Sequence, residues 1–168
     1  MTIVGFGVGS SSSSSIVGAT FSPVSLATVN FTAGNWGGDT PGNLSAIADS
    51  DSNSATTWGR TYGSGNKGWI QADLGQNLNR LYLEIKLGVR MNTNWPSGEA
   101  TWAIEVSPNT NFFMPLWQAV RIKPTTSEQI LQVSTWGNFR YLRVTTEDTG
   151  AGQAELRWYD LRIWQLSL

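Results

Sequence analysis

The chain has 168 residues, of which 40% are hydrophobic and 14% charged, and its formal net charge at pH 7 is −1. That is enough apolar material for one packed domain, and the near balance of charge excludes a nucleic-acid binder that works through bulk positive charge. The absence of Cys and His excludes disulfides, thiolate catalysis, a Ser-His-Asp triad and most transition-metal sites.

Residues 1–19 form a segment rich in Gly and Ser, in which the serines of 10–15 follow an apolar start. No Lys or Arg precedes the apolar residues, so the segment is a poor secretory signal. We predict an extended arm with two alternatives, a flexible tail or a segment that becomes ordered on a partner subunit. No apolar run approaches the ~20 residues of a membrane span, so we expect no membrane insertion.

Short runs of alternating apolar and polar residues begin at about Thr20 and continue to the end of the chain. A period of two predicts β-strands with one buried face, here around residues 27–31, 81–89, 102–106 and 141–144. No window holds a clean helical period, so the sequence predicts no long helix and only a short helical turn at 44–48. Residues 20–168 therefore form one predicted all-β domain, a sandwich or barrel.

Local patterns in a fixed order carry a family resemblance. They are residues 51–58 (DSNSATTW), 69–75 (WIQADLG), 102–109 (WAIEVSPN), and 140–144 (RYLRV) followed by 160–163 (DLRI). Over residues 20–168 the chain resembles the discoidin family, also called coagulation factor five/eight type C domains, which is similar to the family 32 carbohydrate-binding modules. The resemblance implies a jelly-roll β-sandwich of the galactose-binding type that binds rather than catalyses. The chain departs from it at Ser52, where the family often has Gly, and in lacking the disulfide and the site His of many members.

The resemblance also implies a structural calcium site made of Asp51, Asn53, Thr56 and Asp160. Calcium takes six to eight hard oxygen ligands, and these residues supply carboxylate, amide and hydroxyl oxygens. The alternative is that Asp49, Asp51 and Asn53 are turn formers whose side chains bond their own backbone.

The tryptophans divide by context. Trp58, Trp69 and Trp102 lie inside the motifs and are predicted to be core residues, whereas Trp136, Trp158 and Trp164 stay ambiguous.

A glycan site needs an aromatic wall and a few placed polar groups, and Trp36 and Trp95 lie in loops by composition. The predicted ligand contacts are Trp36, Arg60, Tyr62, Arg90, Asn94 and Trp95. The alternative is that these side chains plug the end of the sandwich or pack against another subunit.

We expect no enzymatic activity, because neither Glu99 with Glu105 nor Glu147 with Asp148 is marked by its context for acid–base work. A domain type that faces outward, without Cys and with a Gly/Ser arm, suggests a virion component made in the host cytoplasm. Such a subunit would bind cell-surface glycan, dock on other virion subunits through its arm, and gain avidity as a homo-oligomer. The alternatives are a purely structural virion subunit or a bacterial lectin-like module.

Overall fold

The computed structural model of the chain describes residues 19–62, 66–91, 100–111, 113–121, 127–148 and 153–168. Within these ranges the chain forms β-strands and a short 3-10 helix at Leu44–Ala48, which confirms the predicted helical turn. The strands are β1 Thr20–Pro23, β2 Asn30–Gly34, β3 Gly59–Tyr62, β4 Asn66–Met91, β5 Ala100–Ser107, β6 Met114–Arg121, β7 Gln129–Asp148 and β8 Gln153–Ser167.

The first predicted strand was placed too early. Residues 27–28 form a turn, in which the Val29 backbone N–H donates to the Leu26 carbonyl oxygen at 3.1 Å, and β2 begins at Asn30. The other three predicted strands are confirmed as parts of β4, β5 and β7, each of which extends further. Alternation marks only the stretch with one buried face, so it underestimates strands whose ends are exposed.

Two long strands connect the layers of the fold. β4 and β7 pair antiparallel along most of their lengths, with register shifts between Asp73 and Leu81. Before the shifts, β4 pairs with β2 and β7, and β7 continues to β5 and β6. After them, β4 pairs with β7 and β8, and β8 pairs with β1 and β3. One continuous antiparallel sheet therefore supplies both layers of the predicted jelly-roll sandwich.

The core lies between these layers and follows the period of two. Leu81, Leu83, Ile85, Leu87 and Val89 of β4 are all at most 2% exposed, as the alternation predicts. They join buried residues of the other strands, including Ile70, Trp102, Ile104, Phe139, Leu142, Val144, Leu156, Trp158, Leu161 and Ile163.

The prediction of core tryptophans is right for Trp102 and wrong for Trp58 and Trp69, which are only half-buried and lie outside the buried cluster. Trp158, left ambiguous by the sequence, is fully buried, and its Nε1–H donates to the Asp160 carbonyl oxygen at 3.0 Å. Trp58 and Trp69 therefore lie near the protein surface, where arginine side chains partly cover their rings.

The predicted arm, residues 1–19, lies outside the described residues except for Ala19, which is buried ahead of β1. None of the helical structure within the described ranges is long and apolar enough to cross a membrane.

Candidate functional site

A buried carboxylate brings two of the predicted ligand contacts together. Glu155 of β8 lies opposite Arg60 of β3 on one side and Arg90 of β4 on the other. Arg60 Nε lies 2.7 Å from Glu155 Oε1, and Arg90 Nε donates to Oε2. The Glu155 side chain is 3% exposed, whereas those of Arg60 and Arg90 are 35% and 30% exposed. The carboxylate thus holds two partly accessible guanidinium groups in fixed positions.

An indole ring completes this arrangement. The guanidinium carbons of Arg90 and Arg157 each lie 4.2 Å from the centre of the Trp58 ring. Contacts of this kind are favourable because the face of the indole carries negative charge density. We call Trp58, Arg60, Arg90, Glu155 and Arg157 the Glu155 cluster.

The loop before β3 is tied to the same cluster. Arg60 Nη1 lies 3.0 Å from Asp39 Oδ2, and the Arg60 backbone N–H donates to the Asp39 carbonyl oxygen at 2.8 Å. The Gly38 backbone N–H donates to the Arg60 carbonyl oxygen at 3.0 Å. These bonds fix the loop that follows Trp36 against the edge of β3.

Trp36 packs over two glycines near the cluster. A Cβ on Gly59 would lie 2.7 Å from the Trp36 ring, and one on Gly68 would lie 2.3 Å from it. The Trp36 Nε1–H donates to the Trp69 carbonyl oxygen at 3.1 Å, and the residue is half-buried. Its indole therefore rests on bare backbone, and its predicted contact with ligand stays a prediction.

The remaining predicted ligand contacts are less informative. Tyr62 ends β3, paired with Gln153 of β8, whereas Asn94 and Trp95 lie outside the described residues. Glu155 was missed by the sequence analysis. The available signal was a charged residue placed between Ala154 and Leu156 in a strand.

Three of the predicted calcium ligands lie in the loop at 51–56, and the fourth, Asp160, lies in β8. Asp51 Oδ1 accepts the Asn53 backbone N–H at 2.9 Å, as the turn-former alternative predicts. Thr56 Oγ1 accepts the Trp158 backbone N–H at 3.0 Å. Asp160 of β8 lies opposite Lys86 of β4 in the strand register, and Lys86 Nζ donates to the carbonyl oxygen of Ser52.

The donor chemistry of this loop suits calcium, but an ammonium group lies where the loop meets Asp160. The Asp160 carboxylate also lies 3.0 Å from Arg162 Nε. Within the described ranges, no three acidic side chains gather into a group that could hold a metal. Ser52, Lys86 and Asp160 line one cleft, so the Lys86 ammonium group is a cation already present between the loop and β8.

Motif residues of the other layer form structural pairs. Arg140 donates from Nε to Asp73 Oδ1 at 2.8 Å and from Nη2 to Oδ2 at 3.0 Å, while Oδ1 also accepts the Gly75 backbone N–H at 2.8 Å. The hydrogen bond from Arg140 lowers the pKa of Asp73. Arg143 lies over the ring of Trp69 at 4.5 Å, and burial lowers the pKa of its guanidinium. These contacts explain why the two motifs occur together.

Two of the acidic residues considered for acid–base chemistry are held in ion-paired or buried surroundings. Glu105 is bonded by Lys67, and Asp148 is fully buried. Glu99 lies outside the described residues.

A row of aromatic residues crosses the outer face of the second layer, and the sequence analysis did not find it. Tyr82 of β4 lies opposite Trp136 of β7 and Trp164 of β8. Ring centres are 5.3 Å apart for Tyr82 and Trp136, 5.7 Å for Tyr82 and Trp164, and 5.8 Å for Phe21 and Trp136. We call Phe21, Tyr82, Trp136 and Trp164 the aromatic row.

Comparison with solved structures decides the fold. The module CBM32-1 from a family 31 glycoside hydrolase of Clostridium perfringens matches with a TM-score of 0.50 and 14% identity, over 84% of this chain and 97% of that one. The chain has the fold of the family 32 carbohydrate-binding modules. This confirms the all-β, galactose-binding-like sandwich implied by the motifs.

Two further matches are weaker. The family 32 module of C. perfringens NanJ, solved with galactose, has a TM-score of 0.48 and 12% identity, over 86% of this chain and 99% of that one. CpGH89CBM32-5 from the same organism, solved with GalNAc-β-1,3-galactose, has a TM-score of 0.45 and 16% identity, over 84% and 99%. No family model matches the sequence, and no curated protein does.

Proposed function

We propose that this protein is a non-catalytic glycan-binding module whose site is the Glu155 cluster. The observation that carries the proposal is the pair Arg60 and Arg90, both partly exposed and both fixed by the buried Glu155 beside Trp58. Guanidinium groups donate planar hydrogen bonds that suit sugar hydroxyls. The Trp58 ring, which Arg90 and Arg157 cover, holds the guanidinium of Arg90 in position. The fold, shared with a carbohydrate-binding module, supports the same class of ligand by analogy.

The position of the cluster adds support. Arg60 lies two residues before the end of β3, and Arg90 lies one residue before the end of β4. The predicted contacts Asn94 and Trp95 follow β4 directly in sequence, within a few residues of Arg90. Arg60 and Arg90 therefore both lie near strand ends.

The test is a glycan array followed by calorimetric titration of the full chain with the best oligosaccharide, with galactose as the starting probe. Arg90→Gln is expected to raise Kd at least tenfold, because the neutral, shorter Gln side chain lacks the charged guanidinium donors that would bind the sugar hydroxyls. The matched control is Arg80→Gln, an exposed residue near the start of the second-layer part of β4. An unchanged Kd for Arg90→Gln, or no binding to any glycan, would reject the proposed site.

We also propose that the module is carried on a virion and faces the host surface, docked through its N-terminal arm and present in several copies. The support is compositional: a chain without Cys can assemble in a reducing cytoplasm, and repeated weak sites gain avidity on a symmetric particle. Mass spectrometry of purified virions tests whether the chain is present in them, and inhibition of host adsorption by the free protein tests whether it binds the host surface. Presence in the virion without inhibition would favour a purely structural subunit.

A structural calcium remains a proposal for the loop at Asp51. Its support is the set of oxygen donors from Asp51, Asn53, Thr56 and Asp160, which is the chemistry that calcium takes. When bound, the ion would tie the loop to β8 and so stabilise this side of the sandwich. Lys86 is the competing cation, which makes it the residue whose replacement reports on the site.

A further inference from the structure

We propose a second glycan-binding surface on the outer face of β7, β4 and β8, which takes a neutral polysaccharide chain. The surface consists of the aromatic row and the polar side chains next to it along the same strands. It lies on the face of the sheet, whereas the Glu155 cluster lies near the strand ends, and the proposal does not depend on that cluster.

The aromatic row is both exposed and held in place. Trp136 is 49% exposed and Phe21 is 44% exposed, although both rings have aromatic neighbours within 5.8 Å. Ring contacts link Phe21, Trp136, Tyr82 and Trp164 in an unbroken series. Large aromatic side chains clustered in contact with water mark interaction sites. A fixed row of this kind offers successive apolar faces to the C–H sides of successive sugar rings.

The polar groups needed for hydroxyls lie on the next positions of the same strands. Glu84 of β4 lies opposite Ser134 of β7 and Arg162 of β8. Two residues further along β4, on the same face, Lys86 lies opposite Gln132 and Asp160. These side chains line a cleft of about 300 Å³. Tyr82 connects the two parts, because its hydroxyl donates to Glu84 Oε1 at 3.2 Å.

The charges of this cleft select the class of ligand. Two acidic residues, Glu84 and Asp160, balance two basic ones, Lys86 and Arg162, and the ion pair of Arg162 with Asp160 neutralises part of that charge. A nucleic acid would need a basic excess. A neutral carbohydrate needs donors and acceptors side by side, which paired charged groups and the amide of Gln132 provide.

A purely structural role explains less. Cross-strand aromatic pairs stabilise a sheet, and Tyr82 with its two partners does so here. That role gives no reason for leaving half of Trp136 exposed, or for the mixed polar cleft next to it. A binding surface accounts for both features together.

The test is affinity electrophoresis of the full chain in native gels that contain galactan, galactomannan or dextran. The unaltered protein is expected to be retarded in at least one gel, and Trp136→Ala is expected to raise the dissociation constant at least tenfold. Gln132→Ala, an exposed polar change, is expected to raise it several-fold and serves if Trp136→Ala does not fold. The matched control is Ile130→Ala, an exposed residue of the same strand outside the aromatic row, which is expected to leave retardation unchanged.

Other outcomes overturn the proposal. They are retardation in none of the gels, equal retardation of Trp136→Ala and the unaltered protein, or a dimer in sedimentation that Trp136→Ala dissociates, which would assign the face to a second copy. Arg90→Gln separates the two surfaces. If it alone abolishes retardation, the polysaccharide occupies the Glu155 cluster and the sheet-face proposal is wrong. A loss with Trp136→Ala alone supports the sheet face and leaves the cluster to its own titration with oligosaccharide.

Discussion

Replacing Glu155 with Gln removes the charge that holds Arg60 and Arg90 while keeping the shape of the side chain. The buried carboxylate accepts one guanidinium on each oxygen. Hydrogen bonds to charged groups contribute about 1.5–3 kcal/mol. The guanidinium groups stay charged in the variant, but losing the charge of the carboxylate weakens each bond by roughly 1 kcal/mol, or about 2 kcal/mol for the two. The Gln amide also turns a donor toward one of the arginines, which adds about 1 kcal/mol or more.

Both arginines are about one third exposed and can regain water, which limits the loss. We therefore expect Glu155→Gln to lower the free energy of unfolding by about 2–4 kcal/mol. For a chain of this length, each kcal/mol corresponds to about 2–4 °C, so the melting temperature should fall by roughly 5–15 °C.

Urea denaturation followed by circular dichroism measures the free energy of unfolding. The matched control is Glu128→Gln, because Glu128 is exposed and its Oε1 accepts the Tyr159 hydroxyl at 2.8 Å, a bond that the Gln carbonyl can also accept. The control should change stability by less than about 0.5 kcal/mol. If Glu155→Gln is equally mild, the cluster does not hold the arginines, and the argument for a preorganised site fails.

Asp73→Asn should remove a pH-dependent part of the stability. The pKa of Asp73 is lowered in the folded state by Arg140, so its contribution is present above the unfolded pKa of about 3.9 and is lost as the pH falls through the folded value. Between neutral and acidic pH, the free energy of unfolding should fall less steeply for Asp73→Asn than for the unaltered protein. Equal slopes for the two proteins would contradict the assignment. Gly68→Ala should displace the Trp36 indole and cost about 1–3 kcal/mol in the same urea assay, whereas an unchanged stability would mean that Trp36 moves freely. Adding calcium after chelation should raise the melting temperature; Asp51→Ala should abolish the rise and Lys86→Met enlarge it. No rise in any of the three proteins would remove the calcium site.

The sequence by itself determined which layers and faces exist. The strict alternation from Leu81 to Val89 predicted a buried face, because successive side chains of a strand point to opposite sides, and every apolar member is buried. Motif order predicted the sandwich, and the structural match confirms it. Alternation could not locate the start of β2, because Ala27 and Val29 continue the pattern through a turn.

Tertiary structure alone decided which residues become neighbours. Arg60, Arg90 and Glu155 meet because β3 and β4 flank β8 in one register, and the sequence carries no record of that register. The same holds for Tyr82 between Trp136 and Trp164, whose contacts depend on three strands far apart in the chain. Side-chain periodicity is a local property of the backbone, whereas cross-strand pairing is set by how the whole sheet buries its core.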